Sequence, residues 1–365
     1  MDKNFLNFSI GPVLMEDEIL KKGSEQIPYF RTEEFSKIIL ENESLMKKFV
    51  NSEKEAKTIF LTASGTGAME AGVINTLDKN DLVLVINGGS FGQRFSEICK
   101  IYDIPYLEIK LNYGEVLTKS HLSIFEDIPI TAVLVNIHET STGVLYDINL
   151  LSKFCKQKKA LFIVDAISSF LADKIDMKKS NIDVLIISSQ KALALPPGIS
   201  IIMFSKKAIE KINNINIKSL YFDMKSYLKN GERGQTPFTP AVGILLQLNS
   251  RLKSIEKRGI DNIISSTKTV AEDFRKKIVK LPFKVVNTNP SNAVTVIEPM
   301  GKMKAYEIFE CLKDNYNIFI CPNGGKLKDK IFRVGHIGNL NCEKNDILIN
   351  ALKDMEMKGL IWWEH

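Results

Sequence analysis

Lys191 closes the polar segment Ser188-Ser189-Gln190-Lys191, directly after the apolar run Val184–Ile187 and before the proline-bounded stretch Ala192-Leu193-Ala194-Leu195-Pro196-Pro197-Gly198. Apolar surroundings of that kind partly desolvate an amine, lower its pKa and make it a usable nucleophile. A second apolar run, Leu161–Val164, ends in Asp165 and continues as Ala166-Ile167-Ser168-Ser169. An isolated Asp at such a place is often a helix cap; it can equally carry a negative charge into a site. A third run, Thr58–Leu61, leads into Thr62-Ala63-Ser64-Gly65-Thr66-Gly67-Ala68-Met69-Glu70. Small residues opening a helix let backbone N–H groups and hydroxyls approach a phosphate at the positive helix end, although a glycine-rich turn alone is commonly just a helix start.

All three follow short β-branched runs that must place them. Such runs occur at Thr58–Leu61, Leu82–Ile86, Ala132–Ile137, Leu161–Val164, Val184–Ile187 and Ser200–Phe204. Between them, Gly67–Leu77, Phe91–Tyr102 and Leu150–Lys158 have the apolar spacing of crossover helices. Short continuous runs alternating with helices predict an α/β fold of the doubly wound kind, its sheet mostly parallel and covered on both faces. Ligands in such folds sit at the carboxyl ends of strands. From Ala241 to Arg258 the pattern becomes one long helix, expected to bridge to a smaller α+β part with a charged helix at Thr267–Leu281 and strands near Ala293–Ile297 and Ile331–Val334. The expected organisation is an N-terminal arm (1–20), a large domain with the bridging helix (21–255) and a small C-terminal domain (256–365).

Composition narrows the class. With 365 residues and 44% hydrophobic content the chain can bury a large core. The net charge of +6 is spread along the chain without interleaved aromatics, which argues against nucleic-acid binding. The five cysteines are too far apart for a zinc site or a disulfide framework, and no metal is expected. No apolar run approaches the roughly 20 residues needed to span a bilayer, and Met1–Ile10 lacks the apolar core of a signal peptide. A soluble, cytoplasmic protein with no membrane partner is expected.

A phosphate cradle, a carbonyl-reactive lysine and a carboxylate are together what pyridoxal 5′-phosphate (PLP) requires: an anchor for its phosphate, an amine for its aldehyde and a partner for its ring nitrogen. The chain resembles the class V aminotransferases of fold type I, particularly the alanine-glyoxylate and serine-pyruvate aminotransferases and their 2-aminoethylphosphonate-pyruvate relatives. The resemblance runs from Gly11-Pro12 to the segment around Arg333. It is carried most specifically by Asn87-Gly88-Gly89-Ser90-Phe91-Gly92-Gln93-Arg94, His138-Glu139-Thr140-Ser141-Thr142-Gly143-Val144, Val164-Asp165 and Ser189-Gln190-Lys191-Ala192-Leu193. It implies a seven-stranded sheet in the large domain and a Schiff base between Lys191 and PLP. It places Asp165 on the ring nitrogen, Phe91 and Ile167 on opposite ring faces, Thr140 near the ring hydroxyl, and Ser64, Gly65, Thr66 and Gln190 around the phosphate. Phe91 stands where relatives carry Trp, Tyr or His, so stacking is kept and a polar handle is lost. Gly234-Gln235-Thr236-Pro237-Phe238-Thr239-Pro240-Ala241 resembles a segment that reaches the neighbouring subunit's site, which implies a homodimer with Thr236 and Thr239 on the partner's phosphate. Arg333 takes the place of the arginine that grips the substrate carboxylate, a task suited to a planar guanidinium; Arg31 is a second candidate anchor.

The activity implied is transfer of an amino group from a small donor such as alanine or serine to glyoxylate or pyruvate. The nearest rival is transamination of 2-aminoethylphosphonate or another phosphorylated or sugar-derived amine, because Phe238-Thr239-Pro240 also suits those relatives. Cysteine desulfuration is disfavoured, since Cys321 and Cys342 lack a flanking motif. A NAD-dependent dehydrogenase is disfavoured because Ser64–Gly67 lacks the three-glycine fingerprint. A non-catalytic binding module would have no need of Lys191, Asp165 and Arg333 together.

Overall fold

The computed structural model describes residues 5–287 and 289–362. Seven strands form the main sheet, in the order Lys57–Leu61, Ser200–Phe204, Val184–Ser188, Leu161–Asp165, Ala132–Asn136, Val83–Asn87 and Tyr106–Lys110. Ser200–Phe204 runs antiparallel to both neighbours, and every other pairing is parallel. Six strands therefore end on one edge, and the loops carrying Ser64, Phe91, Thr140, Asp165 and Lys191 leave from it.

Five of the seven strands are buried at every residue, as expected of strands covered on both faces. Alternate side chains divide between two cores: Leu84, Ile86, Val133, Val135, Phe162, Val164 and Leu185 face one, and Val83, Val85, Leu134, Ile163, Val184 and Ile186 the other. The sequence pattern did not single out Tyr106–Lys110. It is an edge strand with only Ile109 buried, and Tyr106, Glu108 and Lys110 break up its apolar run.

Beyond the long helix Val242–Arg258, a second sheet pairs Phe283–Val285, Val294–Pro299, Phe332–Gly335 and Cys321–Pro322, all antiparallel. Phe274, Ile308, Leu312, Phe332, Leu348 and Leu352 fill the core beneath it. The chain's first described strand, Leu6–Asn7, pairs with Ile318–Phe319, so the N-terminal arm lies against this second unit before entering the large sheet's edge. The charged helix spans Ile260–Ile278, starting seven residues before the expected Thr267. Within it Thr267 and Thr269 donate back to the carbonyls of Ile263 and Ser265, which pairs their hydroxyls inside the helix. No helix among the described residues is long and apolar enough to cross a membrane.

Gly259 separates the two long helices at φ 82° and closes the first through N–H bonds to Ile255 and Glu256 carbonyls. A side chain there is strained, so Gly259→Ala is expected to lower the unfolding free energy by about 1–2 kcal/mol in urea titration. Gly231→Ala, with open space around the added methyl and an ordinary helical backbone, should be neutral or slightly stabilising. Equal effects at the two sites would contradict the assignment of the break to Gly259.

Candidate active site

Asp165 and Lys191 leave neighbouring parallel strands, Asp165 standing in register with Ile186. The loop after Val184–Ser188 is tight: Ala194 N–H donates to the Lys191 carbonyl, Leu195 N–H to that of Ser189, and Ser189 Oγ to that of Pro196. The turn requires Ala194 at φ 53° and presents Lys191 at the sheet's carboxyl edge. Across from it runs the N-terminal arm. A Cβ on Gly11 would lie 2.8 Å from Lys191 Cδ and 3.0 Å from the Gln190 carbonyl, at a backbone φ of +140°; only glycine lets the arm close over the lysine stem.

Asp165 is buried and Lys191 half-buried, and loss of solvent dominates the acidity of both. Lys191 is held below the ordinary amine range by desolvation, with Arg333 and Arg94 pushing the same way against Cys321 and Asp165. Asp165 is 6% exposed and is pushed up to about 7 by desolvation, with the Glu139 carboxylate adding to the rise. Its opposing help is one hydrogen bond from Ile167 N–H at 2.8 Å and the more distant charges of Lys191 and Arg94. Asp165 thus makes an Asx-type turn, as an isolated Asp often does, while its remaining acceptor capacity stays unclaimed by the protein.

The cradle is built at the start of helix Gly65–Thr76. Ser64 caps it, its Oγ accepting from Gly67 N–H. Gly65 is bare of necessity, because a Cβ would meet Ile167 Cδ1 at 2.4 Å; Ile167 therefore borders the cradle. Thr66 is exposed and its Oγ1 accepts from Arg94 Nη1 at 3.0 Å. Gln190 Oε1 accepts from Ser188 Oγ at 2.5 Å, which leaves its NH2 group free to donate. Phe91 is half-buried at the head of helix Gly92–Ile101.

Arg333 comes from the second sheet, flanked in register by Cys321 and Val296. Its Nη1 and Nη2 donate to the carbonyls of Thr140 (3.2 Å) and Pro322 (2.8 Å), and its buried Nε has no partner among the described residues. Asn323 and Asn287 take the next two carbonyls of the same loop, at Ser141 and Thr142. The second unit thus holds three successive carbonyls of the Thr140 loop, each through a different side chain. A cavity of about 670 Å³ opens beside this junction, bordered by Ser90, Gln93, Tyr113, Ser141 and Asn323.

Glu139 was quoted in its motif without a role, and the structure supplies one. It is fully buried, and its carboxylate accepts from Gly92 N–H (3.0 Å), Asn136 Nδ2 (2.9 Å) and Ser141 N–H (3.1 Å). One carboxylate thereby ties the Phe91 turn to the Thr140 loop. The readable signal was the glycine pair: a Cβ on Gly89 would meet Glu139 Cδ at 2.6 Å, and one on Gly92 would meet Asn87 Cα and the Ile86 carbonyl at 2.8 Å. His138 and Ser168 also went unassigned. Thr140 Oγ1 donates to Ser168 Oγ at 3.0 Å, and Ser168 lies 2.9 Å from Nδ1 of a buried His138 whose pKa falls to about 3 through desolvation. That imidazole is neutral.

Arg31 and the Thr236–Thr239 segment stand together, and just beyond the segment Ala241 N–H donates to Thr62 Oγ1, two residues before the cradle. Arg31 Nη1 donates to Gln235 Oε1 and the Thr236 carbonyl, and Nη2 to the Pro237 carbonyl. Thr236 is buried with its hydroxyl donated to the Phe238 carbonyl, whereas Thr239 is exposed.

Comparison with known proteins bears on this arrangement. The family described as aminotransferase class-V matches residues 27–326. The soluble hydrogenase small subunit of a Synechococcus species is 32% identical over 88% of this chain and 85% of its own length. The serine–glyoxylate aminotransferase of Arabidopsis thaliana is 28% identical over 96% and 89%. Among solved structures, the ureidoglycine–glyoxylate aminotransferase of Bacillus subtilis superposes with a TM-score of 0.92 at 21% identity, over 100% of this chain and 96% of that one.

The raised Asp165 carboxyl predicts a pH signature in the ligand-free protein. Below about pH 4 the group is protonated folded or unfolded and costs nothing. As pH rises from about 4 to about 7 the unfolded chain releases this proton and the folded chain retains it, so stability falls; above about 7 the penalty is constant. Asp165→Asn should therefore be more stable than the parent at pH 8, by roughly 1–4 kcal/mol, with the gain shrinking toward pH 4. Urea titrations at both pH values read this out, and a pH-independent difference would contradict it.

Proposed function

The chain belongs to the class-V aminotransferases, and from that membership we propose that it uses PLP to move an amino group from a small donor such as alanine or serine to glyoxylate or pyruvate. The architecture is fold type I, and the family is PLP-dependent. The observation that carries the reading is the Asp165 carboxyl: buried, held by one N–H and lacking a close cation, across from a half-buried amine of lowered pKa. A protonated pyridine nitrogen supplies the missing partner, and the aldehyde of the same molecule suits the amine. The bare Gly65 beside Ile167, the free NH2 of Gln190 and the half-buried Phe91 ring fit the phosphate and ring of that group.

When bound, PLP supplies an electron sink for the charge left at a substrate carbon that loses its proton. The protein's part is placement and proton handling. Asp165 keeps the ring nitrogen protonated. Lys191 Nζ would hold the cofactor's aldehyde carbon and, once released from it, would serve as the base that takes the proton from the donor's α-carbon, a role that its lowered pKa favours. Arg333 would offer the donor's carboxylate the Nη hydrogens not spent on the Thr140 and Pro322 carbonyls. Its Nη groups stay on the Thr140 and Pro322 carbonyls, so the guanidinium plane is fixed before substrate arrives. The Gly11 arm over the lysine stem limits water at the reacting carbon.

We further propose a homodimer whose sites are shared. Thr239 is exposed, and around its segment gather Tyr29 (68% exposed), Leu220 (82%) and Tyr221, whose ring stacks on Phe238. Apolar exposure of that extent marks an interaction surface. Arg31 braces the segment from within its own chain, which favours Thr239 over Thr236 as the hydroxyl offered to a partner's phosphate. The five cysteines are free, in keeping with a reducing cytoplasm.

Purified protein loaded with PLP is expected to convert L-alanine to pyruvate with glyoxylate as acceptor, or L-serine to its 2-oxo acid with glyoxylate or pyruvate; PLP-loaded protein that turns over none of these three pairs would contradict the substrate assignment. Lys191→Ala and Thr239→Arg chains, each inactive alone, should regain about a quarter of parental activity when mixed and allowed to exchange, because one heterodimer site then has intact Lys191 and an intact partner Thr239. Verified heterodimers that stay inactive would contradict shared sites.

A further inference from the structure

Arg94 has no place in the roles assigned so far, yet its surroundings are those of an anion site without its anion. It lies in the first turn of helix Gly92–Ile101, which has no acidic residue there. Its Nη1 reaches Thr66 Oγ1 in the first turn of the neighbouring helix Gly65–Thr76, which also lacks an acid in its first turn. A cation at the positive end of one helix, leaning on the positive end of another, is electrostatically unfavourable until negative charge joins it. Arg94 pairs with no carboxylate among the described residues; its contacts are Thr66 and the Phe91 ring, 4.6 Å from the guanidinium carbon. The stack on Phe91 and the bond to Thr66 hold it in one place, and most of its five N–H donors remain free.

We propose that Arg94 is a cofactor-binding residue whose guanidinium supplies the positive charge for the phosphate group seated at Ser64, Gly65 and Thr66. This inference rests on the reading that the pocket binds PLP. The other donors that this chain offers to the phosphate, Ser64, the Gly65 and Thr66 N–H groups and Gln190, are neutral, and Lys191 is committed to the aldehyde end. A phosphate monoester carrying close to two negative charges needs a formal cation as well as dipoles to replace its lost hydration. Arg94 is the cation placed for it: bonded to the cradle through Thr66, and near enough to the catalytic pair for its charge to act on both Asp165 and Lys191. It would also couple the two ends of the cofactor site, since the same guanidinium fixes the Phe91 ring that borders the pyridine.

The test compares two ligands that differ only in the phosphate. Dissociation constants for PLP and for pyridoxal, measured by absorbance or fluorescence titration of cofactor-free dimer, are taken for the parent, Arg94→Gln and Arg94→Lys. Arg94→Gln is expected to weaken PLP by about 10- to 100-fold and pyridoxal by less than about threefold, whereas Arg94→Lys keeps the charge and should retain most of the preference for the phosphorylated ligand. Parallel weakening of both ligands in Arg94→Gln would overturn the proposal and assign Arg94 to the support of Phe91 alone. Unchanged affinity for PLP would overturn it too, as would a Lys variant as impaired as the Gln one. A parent protein that binds neither ligand would instead sink the cofactor reading itself, so the two failures are distinguishable.

Discussion

A carboxyl group withdrawn from water at the end of a central parallel strand is the constraint on which the rest of this structure turns. Taking Asp165 out of solvent raises its pKa to about 7, and a buried carboxylate is tolerated only when something compensates it. The protein offers one backbone N–H and two charges at longer range. The shortfall is what makes the position useful. A cationic heterocycle set against Asp165 would relieve a cost already built into the fold, and the free energy released would go into holding that ring protonated. Lys191 is the counterpart after the next strand, a half-buried amine whose pKa desolvation lowers. Two adjacent strands of the same all-buried kind therefore deliver an acid and a base whose acidities are shifted toward one another.

The surrounding architecture works to keep that pair placed. Glycines appear where backbone must pass close to a functional side chain: Gly11 over the Lys191 stem, Gly65 under Ile167, Gly89 against Glu139. Glu139, buried without a cation, gathers backbone N–H groups from two loops and so fixes the spacing between Phe91 and Thr140. The second unit joins through the carbonyls of Thr140, Ser141 and Thr142, held by Arg333, Asn323 and Asn287. Arg333 is thus at once a candidate carboxylate binder and a strut of the loop beside which the substrate would lie. Any movement of the second unit on substrate binding would be felt at Thr140 directly.

Much of this could be read in the sequence, and the reasons for the remainder are physical. Runs such as Leu161–Val164 and Val184–Ile187 are buried on both faces, so they announce themselves as strands and the polar residues that follow them as site candidates. Tyr106–Lys110 escaped because an edge strand need bury only one face. The early start of the Ile260–Ile278 helix escaped because Asp261, Asn262, Ser265 and Ser266 are residue types that favour caps and turns over helix interiors. At the site, Lys191 and Asp165 were legible from chemistry and position together. Glu139 was not, since its partners are backbone groups brought in by folding, and Arg94 was not, since its meaning depends on two helix ends meeting in space. Arg31 had an attractive residue type for a substrate anchor, yet its donors in the single chain are taken by the Gln235–Pro237 segment.

The central claim is that this carboxyl and this amine hold PLP between them, with Lys191 as the point of covalent attachment. Borohydride reduction of the PLP-loaded protein, followed by digestion and mass mapping, tests it most directly. The account predicts a single pyridoxyl-modified peptide with the label on Lys191, and loss of that label in Lys191→Ala while PLP still binds reversibly through its phosphate. A pyridoxyl group on any other lysine, or a parent protein that binds PLP and is not labelled at all, would contradict it.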